Sequence, residues 1–241
     1  MFDYDAEMRF LQARFRTACD VRSGDRVLDV GCGGGQTTRE AAADARPGRV
    51  VGVDLSERML ARARRHTSDE HVSYLLADAA TYDFGPAAFE VGISRFGVMF
   101  FDDPVRAFTN LRRACGRLVV MVWQPRADNE WARVIPETIG GGFRDESPFT
   151  LGDRDVARDV LTSAGFAHPT FTAVHERLYY GPDVESAYEN VLRLREPQAL
   201  LAELAPAQAD RAREALRAML SAHDSGDGIL FDSAAWIIQA V

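Results

Sequence analysis

A short apolar run that ends in a cluster of glycines is the feature that most constrains the fold of this chain. Residues 26–38 read RVLDVGCGGGQTT, so that four of the five positions from 31 to 35 are glycine. Glycines between a strand and a helix let backbone N–H groups approach a ligand, and the helix N-terminus adds the positive end of its dipole. We therefore expect a ligand to bind directly after this strand.

The spacing of the glycines distinguishes between the ligands that use such a turn. The dinucleotide pattern G-x-G-x-x-G fails in both registers, because Gln36 and Thr38 stand where its third glycine belongs. The pattern that fits is D-x-G-x-G-x-G, formed by Asp29, Gly31, Gly33 and Gly35. An acidic side chain at this place is a poor neighbour for a pyrophosphate and suits a ligand that carries positive charge.

The first half of the chain alternates strand and helix signals. Strands are predicted at 26–30, 49–54, 71–78, 90–95 and 116–123, with helices between them at 36–45, 56–66 and 103–114. This alternation predicts βαβ units and a parallel sheet, and right-handed crossovers make that sheet doubly wound.

The pattern changes after residue 123. Residues 124–150 are rich in glycine, proline and acids, and they predict an irregular segment with one short helix. Further helices are predicted at 153–166, 184–195 and 206–223, and further strands at 169–180 and at the C-terminal end. We expect the last strand to complete the sheet, after an inserted pair of helices.

Charge and composition exclude several classes of function. The net charge of −8 and the pI of about 5.2 argue against a nucleic-acid partner, which needs a basic face. All 28 basic residues are arginine, and the absence of lysine excludes Schiff-base catalysis and a Walker-type phosphate loop. No apolar run reaches the roughly 18 residues of a membrane span, so we expect no membrane partner.

The first residues and the cysteines indicate in which cellular compartment the protein is expected. The first ten residues, MFDYDAEMRF, carry acids and no apolar stretch, so we expect no secretory signal peptide. The three cysteines Cys19, Cys32 and Cys115 are odd in number and lack the spacing of a metal site. We therefore expect reduced thiols, a cytoplasmic protein and no bound metal.

Four segments of the sequence resemble the class I S-adenosylmethionine-dependent methyltransferases. The matching segments are LDVGCGGGQTT, VVGVDLSERML, YLLADAATYDF and SRFGVMFFDDPVRAFTNLRRA followed by RLVVMVWQP. The last one resembles a subgroup related to ubiquinone/menaquinone and small-metabolite methyltransferases. The resemblance spans residues 21–131 and weakens beyond them. It implies S-adenosylmethionine as cofactor and S-adenosylhomocysteine as product.

The resemblance and the residue pattern together predict the architecture. We expect an α/β fold with a doubly wound, Rossmann-like sheet of about seven strands, mostly parallel with the last strand antiparallel, and a helical lid insert before the last strand. Residues 1–241 are expected to form a single methyltransferase domain. Its predicted parts are an N-terminal cap helix at 1–20, a cofactor-binding core at 21–123, and substrate-lid segments at 124–150 and 183–223.

The resemblance also implies which residues receive the methionine part of the cofactor. Asp29 is expected to lie near its ammonium group, directly or through water. The region of Ser94 and Arg95, where the fourth strand ends, is expected to pass along the methionine end and to open onto the substrate. The backbone of the glycine turn is expected to line the same part, through Gly31, Cys32, Gly33, Gly35 and Thr37. Cys32 is interpreted as a small apolar residue and not as a nucleophile.

The adenosine part is expected to meet residues that follow the second and third strands. By resemblance, Asp54 accepts hydrogen bonds from both ribose hydroxyls, which suits a carboxylate because its two oxygens match a vicinal diol. Leu55 and Met59 are expected to pack on the adenine. Asp78 is expected to accept from the adenine amino group, and the Ala79 N–H to meet a ring nitrogen. These positions converge at the carboxyl ends of the strands, where open α/β sheets bind ligands.

The sequence says less about the acceptor of the methyl group than about the cofactor. Methyl transfer needs a general base only if the acceptor loses a proton, so the sequence need not contain one. The catalytic candidates are His175, which alternation could point inward, and Arg95, which could bind an acidic group or an aromatic face. A surface or structural role is the alternative for both. We expect the acceptor pocket to be bounded by residues 2–15, 94–101, 123–150 and 177–223.

The function that follows is methyl transfer to a small-molecule acceptor in biosynthesis, with secondary metabolism as the expected setting. We expect a monomer or a homodimer. Two alternatives stay open at this point. One is an enzyme of the same fold that runs a non-methylating reaction such as a cyclisation. The other is a non-catalytic binding subunit, against which the intact first motif argues.

Overall fold

The strands follow the predicted order along the chain. The computed structural model describes residues 4–141 and 145–241. The strands are β1 Arg26–Val30, β2 Arg49–Asp54, β3 Val72–Leu76, β4 Phe89–Arg95, β5 Cys115–Trp123, β6 Thr170–Gly181 and β7 Ile229–Ala240. Each of them overlaps a strand predicted from the sequence.

These strands form one sheet in the order β3-β2-β1-β4-β5-β7-β6. The pairs β1–β2, β2–β3, β1–β4 and β4–β5 are parallel, and β5 pairs antiparallel with β7. The prediction of a doubly wound, mostly parallel sheet is therefore confirmed. The strand order reverses between β1 and β4, and in such sheets the crevice outside the carboxyl ends at the reversal point receives the ligand.

The helices also follow the predicted pattern, with two differences. They are α1 Tyr4–Glu7, α2 Arg9–Cys19, α3 Gln36–Ala45, α4 Glu57–Arg65, α5 Pro104–Ala114, α6 Glu130–Ile139, α7 Arg154–Ser163, α8 Val184–Val191, α9 Arg195–Ala202 and α10 Pro206–Ala222. The predicted cap helix at 1–20 is divided at Met8, and its residues 1–3 lie outside the described ranges. Helix α9 was not predicted, because its polar first turn contains Pro197 and only Leu200 and Leu201 supply an apolar signal.

The chain packs as two compact units. The first, which we call the sheet unit, comprises residues 12–124, 147–174 and 235–241. The second, the helical unit, comprises the described residues of 1–11, 125–146 and 175–234. The chain leaves and re-enters each unit more than once, so no single linker divides them. The assignment of all 241 residues to one domain stays a prediction.

Apolar strands form the core of the sheet unit. The side chains of Val27, Leu28, Val91 and Val120 are fully buried. Central strands of a parallel sheet carry helices on both faces, which is why they read as continuous apolar runs. None of the helices in the described ranges has both the length and the apolar character that a membrane crossing requires.

Within the helical unit, a buried amide holds the first half of β7. Asn129 is fully buried, and its side-chain oxygen accepts from the Ala234 N–H at 3.0 Å while its amide nitrogen donates to the Ala234 carbonyl at 3.2 Å. The Glu130 carboxylate accepts from the Asp232 N–H at 2.9 Å. The start of α6 thereby satisfies backbone groups of β7 beyond its last residue pair with β5, which joins Trp123 to Ala235.

An ion pair braces the amino ends of β1 and β4, away from the carboxyl edge of the sheet. The Arg26 backbone N–H and its guanidinium both donate to the Glu90 carboxylate, each at 2.6 Å. The hydrogen bonds from Arg26 lower the pKa of Glu90 to about 2, from an ordinary value of 4.5. A carboxyl with a lowered folded-state pKa contributes stability above its unfolded pKa, and loses that contribution as the pH falls from about 4.5 towards about 2.

We therefore expect Glu90→Gln to flatten the acid side of the stability profile. The side chain is 43% exposed, so solvent screening limits the loss at pH 7 to about 1 kcal/mol. Urea unfolding at pH 7 and at pH 3 measures this, and the wild type should lose more stability between the two pH values than the variant. Glu57→Gln is the control, since the Glu57 carboxylate accepts from the Arg64 side chain on its own helix and joins no two strands. Equal acid sensitivity of wild type and Glu90→Gln would contradict the assignment.

Candidate cofactor site

The turn after β1 depends on glycine for its backbone conformation. Gly31, Gly33 and Gly35 have φ values of +67°, +53° and +78°, in the left-handed region that L side chains rarely adopt. Gly35 is the N-cap of α3, so the turn leads straight into a helix N-terminus. The sequence interpretation of this segment as a strand, a glycine turn and a helix agrees with the structure.

A close approach of two backbone segments joins the ends of β1 and β4. A Cβ on Gly31 would lie 2.7 Å from the Gly97 Cα, which no real side chain tolerates. The buried Ser94 hydroxyl donates to the Val30 carbonyl at 2.7 Å and accepts from the Gly97 N–H at 3.2 Å. Ser94 therefore holds the two strand ends together, and its predicted place along the methionine end of a cofactor stays a prediction.

The residue after Ser94 and Arg95 has a strained backbone. Phe96 has a φ of +61°, which is unusual for a bulky side chain. Its ring stacks on Trp123 with centroids 3.9 Å apart, and its N–H donates to the Met121 carbonyl at 2.9 Å. The surrounding packing thus maintains a strained conformation at Phe96, after which Gly97 approaches Gly31.

The carboxylate of Asp54 is held in place by backbone groups. Its Oδ2 accepts from the Gly33 N–H at 2.9 Å, and its Oδ1 accepts from the Ser56 N–H at 2.8 Å. Each carboxylate oxygen has two lone pairs, so each of these oxygens has capacity for a second donor. The residue is only partly buried, at the carboxyl end of β2. Asp54 is therefore a fixed acceptor of two further hydrogen bonds, one for each oxygen.

Asp29 is a buried residue of β1, two positions before the first glycine of the turn. Its carboxylate is buried and accepts from the Thr38 hydroxyl at 2.6 Å. Cys32 is also buried, and burial, with a smaller contribution from the charge of Asp29, raises the pKa of its thiol. The thiol stays protonated at neutral pH, which agrees with its interpretation as a small apolar residue. Thr37 is buried in the first turn of α3.

The residues predicted for the adenine lie beyond β2 and β3. The Leu55 side chain is 73% exposed, and Met59 is partly buried on α4. The Asp78 carboxylate accepts from the Ala80 N–H at 2.9 Å and so shapes its own turn. Ala79 is buried, and its carbonyl accepts from the Asn110 amide at 3.0 Å.

Sequence reasoning missed a second exposed apolar side chain at this edge. Leu76 is the last residue of β3, is 51% exposed and pairs in register with Asp54 of β2. The register of two parallel strands is the signal that could have identified it, because equal distances from the strand ends place the two residues side by side.

The two catalytic candidates occupy different surroundings. Arg95, the last residue of β4, donates through Nη1 to the side-chain oxygens of Gln12 and Gln36. His175 is exposed on β6 in the helical unit. It lines a cavity of about 680 Å³, together with Phe10, Asp128, Glu176, Arg177, Asp227, Leu230, Asp232 and Ser233. The catalytic roles of both residues stay predictions.

The structure thus brings most of the predicted set together in one unit. Every residue predicted to bind the cofactor belongs to the sheet unit, at or just after the carboxyl ends of β1, β2, β3 and β4. His175 belongs to the helical unit. Within the described ranges, no group of three or more His, Cys, Asp or Glu side chains is arranged to hold a metal ion.

One segment of the sheet unit is similar to a known protein family. Residues 27–117 match the family described as a methyltransferase domain. An uncharacterized protein of Mycobacterium tuberculosis is 26% identical over 71% of this chain and 69% of its own length. The ubiquinone/menaquinone biosynthesis C-methyltransferase of Ectopseudomonas mendocina is 34% identical over 42% of this chain and 43% of its own length.

A solved structure shares the fold over nearly the whole chain. Haemonchus contortus phosphoethanolamine N-methyltransferase 2, in complex with phosphomonomethylethanolamine and S-adenosylhomocysteine, superposes with a TM-score of 0.60. The match covers 96% of this chain and 52% of that protein, at 20% identity. At this identity the likeness concerns the fold alone.

The close approach at Gly31 leads to a stability prediction. Gly31→Ala introduces both a strained positive φ and a clash with Gly97, and we expect it to cost about 3 kcal/mol of unfolding free energy. Gly24→Ala is the matched control, since Gly24 has a φ of +91° and no atom within 4 Å of a new Cβ. The control should cost only about 1 kcal/mol. Urea unfolding measures both, and equal losses would mean that the contact with Gly97 contributes nothing.

Proposed function

We propose that this chain, a member of the class I S-adenosylmethionine-dependent methyltransferases, transfers the methyl group of its cofactor to a small-molecule acceptor. The observation that carries the proposed site is the Asp54 carboxylate. Two backbone N–H groups fix it, and each of its oxygens has capacity for one more donor. Two acceptors held side by side match the two hydroxyls of a ribose.

The glycine turn fits the methionine part of such a cofactor. Side chains are absent at Gly31, Gly33 and Gly35, and a Cβ at two of these positions would meet protein atoms closer than 3 Å. No side chain at these three positions stands between the backbone N–H groups and a ligand, beside the N-terminus of α3. The buried charge of Asp29, close to the turn in the chain, favours a cationic group there.

The adenine is proposed to lie near the exposed apolar side chains. Leu55 is exposed in spite of its apolar character, and Leu76 stands beside Asp54 in the neighbouring strand. An aromatic base that covers these two side chains removes apolar surface from water. No described residue accepts a hydrogen bond from the Ala79 N–H, although Ala79 is buried, so this donor suits a ring nitrogen.

The chain's own residues contribute binding and orientation. When bound, S-adenosylmethionine supplies a methyl group that its sulfonium has already activated. Asp54 would hold the ribose and the glycine turn the methionine part, while Ser94 keeps the β4 end in contact with the β1 end. Positioning of this kind supplies a large part of the acceleration of a displacement reaction.

The nature of the acceptor is argued from charge and from relatives. The chain carries a net charge of −8, which disfavours a polyanionic nucleic acid. One similar protein is named for ubiquinone/menaquinone biosynthesis, and another was solved with phosphomonomethylethanolamine. We therefore propose a small organic acceptor in a biosynthetic reaction, with secondary metabolism as the setting.

The cysteines support a reducing location. Cys19, Cys32 and Cys115 are all free and buried. Burial raises the pKa of each thiol, so none of them is poised for oxidation at neutral pH. We propose the cytoplasm as the compartment, and a monomer or homodimer as the assembly.

The ribose assignment predicts the effect of Asp54→Asn. The amide keeps one acceptor oxygen and replaces the other with a donor. That donor faces a backbone N–H group, from Gly33 or Ser56, so the side chain loses one of the two bonds that hold it and one of its two acceptors for the ribose. We expect the affinity for S-adenosylhomocysteine to fall about 30-fold, which corresponds to about 2 kcal/mol. Isothermal titration measures this, with circular dichroism to confirm that the variant is folded. Unchanged affinity would remove Asp54 from the ribose.

A second substitution tests the adenine side without disturbing the turn. Leu55→Ala removes a side chain that is already 73% exposed, so the unfolding temperature should not change. The affinity for S-adenosylhomocysteine should fall about tenfold, because the base loses its apolar contact. Val156→Ala, at a side chain that is 49% exposed on α7, should change neither quantity. Wild-type affinity in Leu55→Ala would place the adenine elsewhere.

The reaction itself is tested with a cofactor that carries an isotopically labelled methyl group. The folded chain is incubated with this cofactor and a bacterial metabolite extract, and the products are separated by size. We expect label in the small-molecule fraction, with a mass gain of one methylene unit, and much less in the Asp54→Asn control. Label confined to nucleic acid or protein would overturn the small-molecule assignment. Cofactor turnover without transferred label would indicate a non-methylating reaction.

A further inference from the structure

Four side chains of the sheet unit form a closed ring of hydrogen bonds. The Arg95 guanidinium donates through Nη1 to the side-chain oxygens of Gln12 and Gln36. The amide nitrogen of Gln12 donates to Glu40 Oε2 at 2.6 Å, and that of Gln36 donates to Glu40 Oε1 at 3.0 Å. Gln12 is buried and the other three are partly buried. The ring is therefore partly shielded from water.

The two charged members dictate how the two amides are oriented. A carboxylate only accepts hydrogen bonds and a guanidinium only donates them, while an amide has one group of each kind. Because Glu40 takes both amide nitrogens, both amide oxygens face Arg95. The reverse orientation would bring N–H groups against the guanidinium and oxygens against the carboxylate. Glu40 thus determines that Arg95 meets two acceptors.

The ring lies beside the glycine turn. Gln36 is the first residue of α3 and follows Gly35 directly, whereas Arg95 ends β4 at the same edge of the sheet. Glu40 is one helical turn beyond Gln36 on α3, and Gln12 comes from α2. A permanent positive charge is therefore held next to the turn that is proposed to receive the methionine part of the cofactor. The carboxylate of that part is its one anionic group.

We propose that Glu40 is a positioning residue, which acts through Gln12 and Gln36 to hold the Arg95 guanidinium for the carboxylate of the cofactor. The proposal rests on the proposed function of the turn. None of the motifs in the sequence points to Glu40, and Glu40 itself does not bind the cofactor. Its effect is on the orientation of Arg95, and so on the part of the affinity that comes from the cofactor's carboxylate.

The test compares a ligand that has the amino acid group, with its carboxylate, and one that lacks this group. S-adenosylhomocysteine has it, and 5′-methylthioadenosine retains the adenosine and the sulfur but lacks the amino acid. In Glu40→Gln one of the two glutamine amides must turn and present an N–H to Arg95. We expect the affinity for S-adenosylhomocysteine to fall about tenfold by isothermal titration, while that for 5′-methylthioadenosine stays within twofold of wild type.

Two further variants make the comparison specific. Asp44→Asn is the matched control, because Asp44 lies on the next turn of α3 and also binds α2, through Arg16 at 2.7 Å, but takes no part in the ring. It should change neither affinity. Gln12→Met removes one acceptor from Arg95 by a different route and should repeat the selective loss, which also provides the test if Glu40→Gln does not fold.

Each outcome decides between the proposals. Selective loss of S-adenosylhomocysteine binding in the ring variants supports the positioning role. Equal loss of both ligands, or no loss, overturns it and leaves the cofactor site intact. Failure of the folded wild type to bind either ligand overturns the proposed function, and the positioning role with it.

Discussion

The contact between the backbones of Gly31 and Gly97 is the constraint on which the rest of the site depends. No Cβ fits at Gly31, and the chain reaches Gly97 only through the positive φ of Phe96. Ser94 then joins the ends of β1 and β4 through two hydrogen bonds. This places the N-terminus of α3 and the ends of two strands within one small region, at the point where the strand order of the sheet reverses.

Polar side chains around this point are oriented by the backbone and by one another. Asp54 is held by two N–H groups, one of which belongs to Gly33 of the glycine turn, so the proposed acceptor for a ribose depends on the turn being formed. Asp29 is held by the Thr38 hydroxyl of the helix that follows. In the ring around Arg95, side chains likewise orient one another, and Gln12 of α2 is one of them. These polar groups are thus held in place by the chain itself, and a ligand that binds to them as proposed would lose less entropy on binding.

Much of the sheet unit could be predicted from local pattern. Apolar runs with acids or glycines at their ends mark where β1 and β2 stop. A serine and an aspartate stand at the starts of α4 and α5, where the Ser56 and Asp103 side chains accept from backbone N–H groups. Local pattern predicts less of the helical unit. The sequence pattern does not predict helix α9, because its first turn is polar and its apolar residues are few. This helix depends on packing and not on a periodic signal.

The sequence by itself determined the order of strands and helices, the glycine turn and the placing of acids at strand ends, because each of these depends on residues that are neighbours in the chain. Only the tertiary structure decided that Asp29 is buried against Thr38, that Leu76 stands beside Asp54, and that Glu40 reaches Arg95 through two glutamines. Gln12 and Arg95 are 83 positions apart in the chain. Contacts of this kind follow from how helices pack on a sheet, which local spacing does not encode.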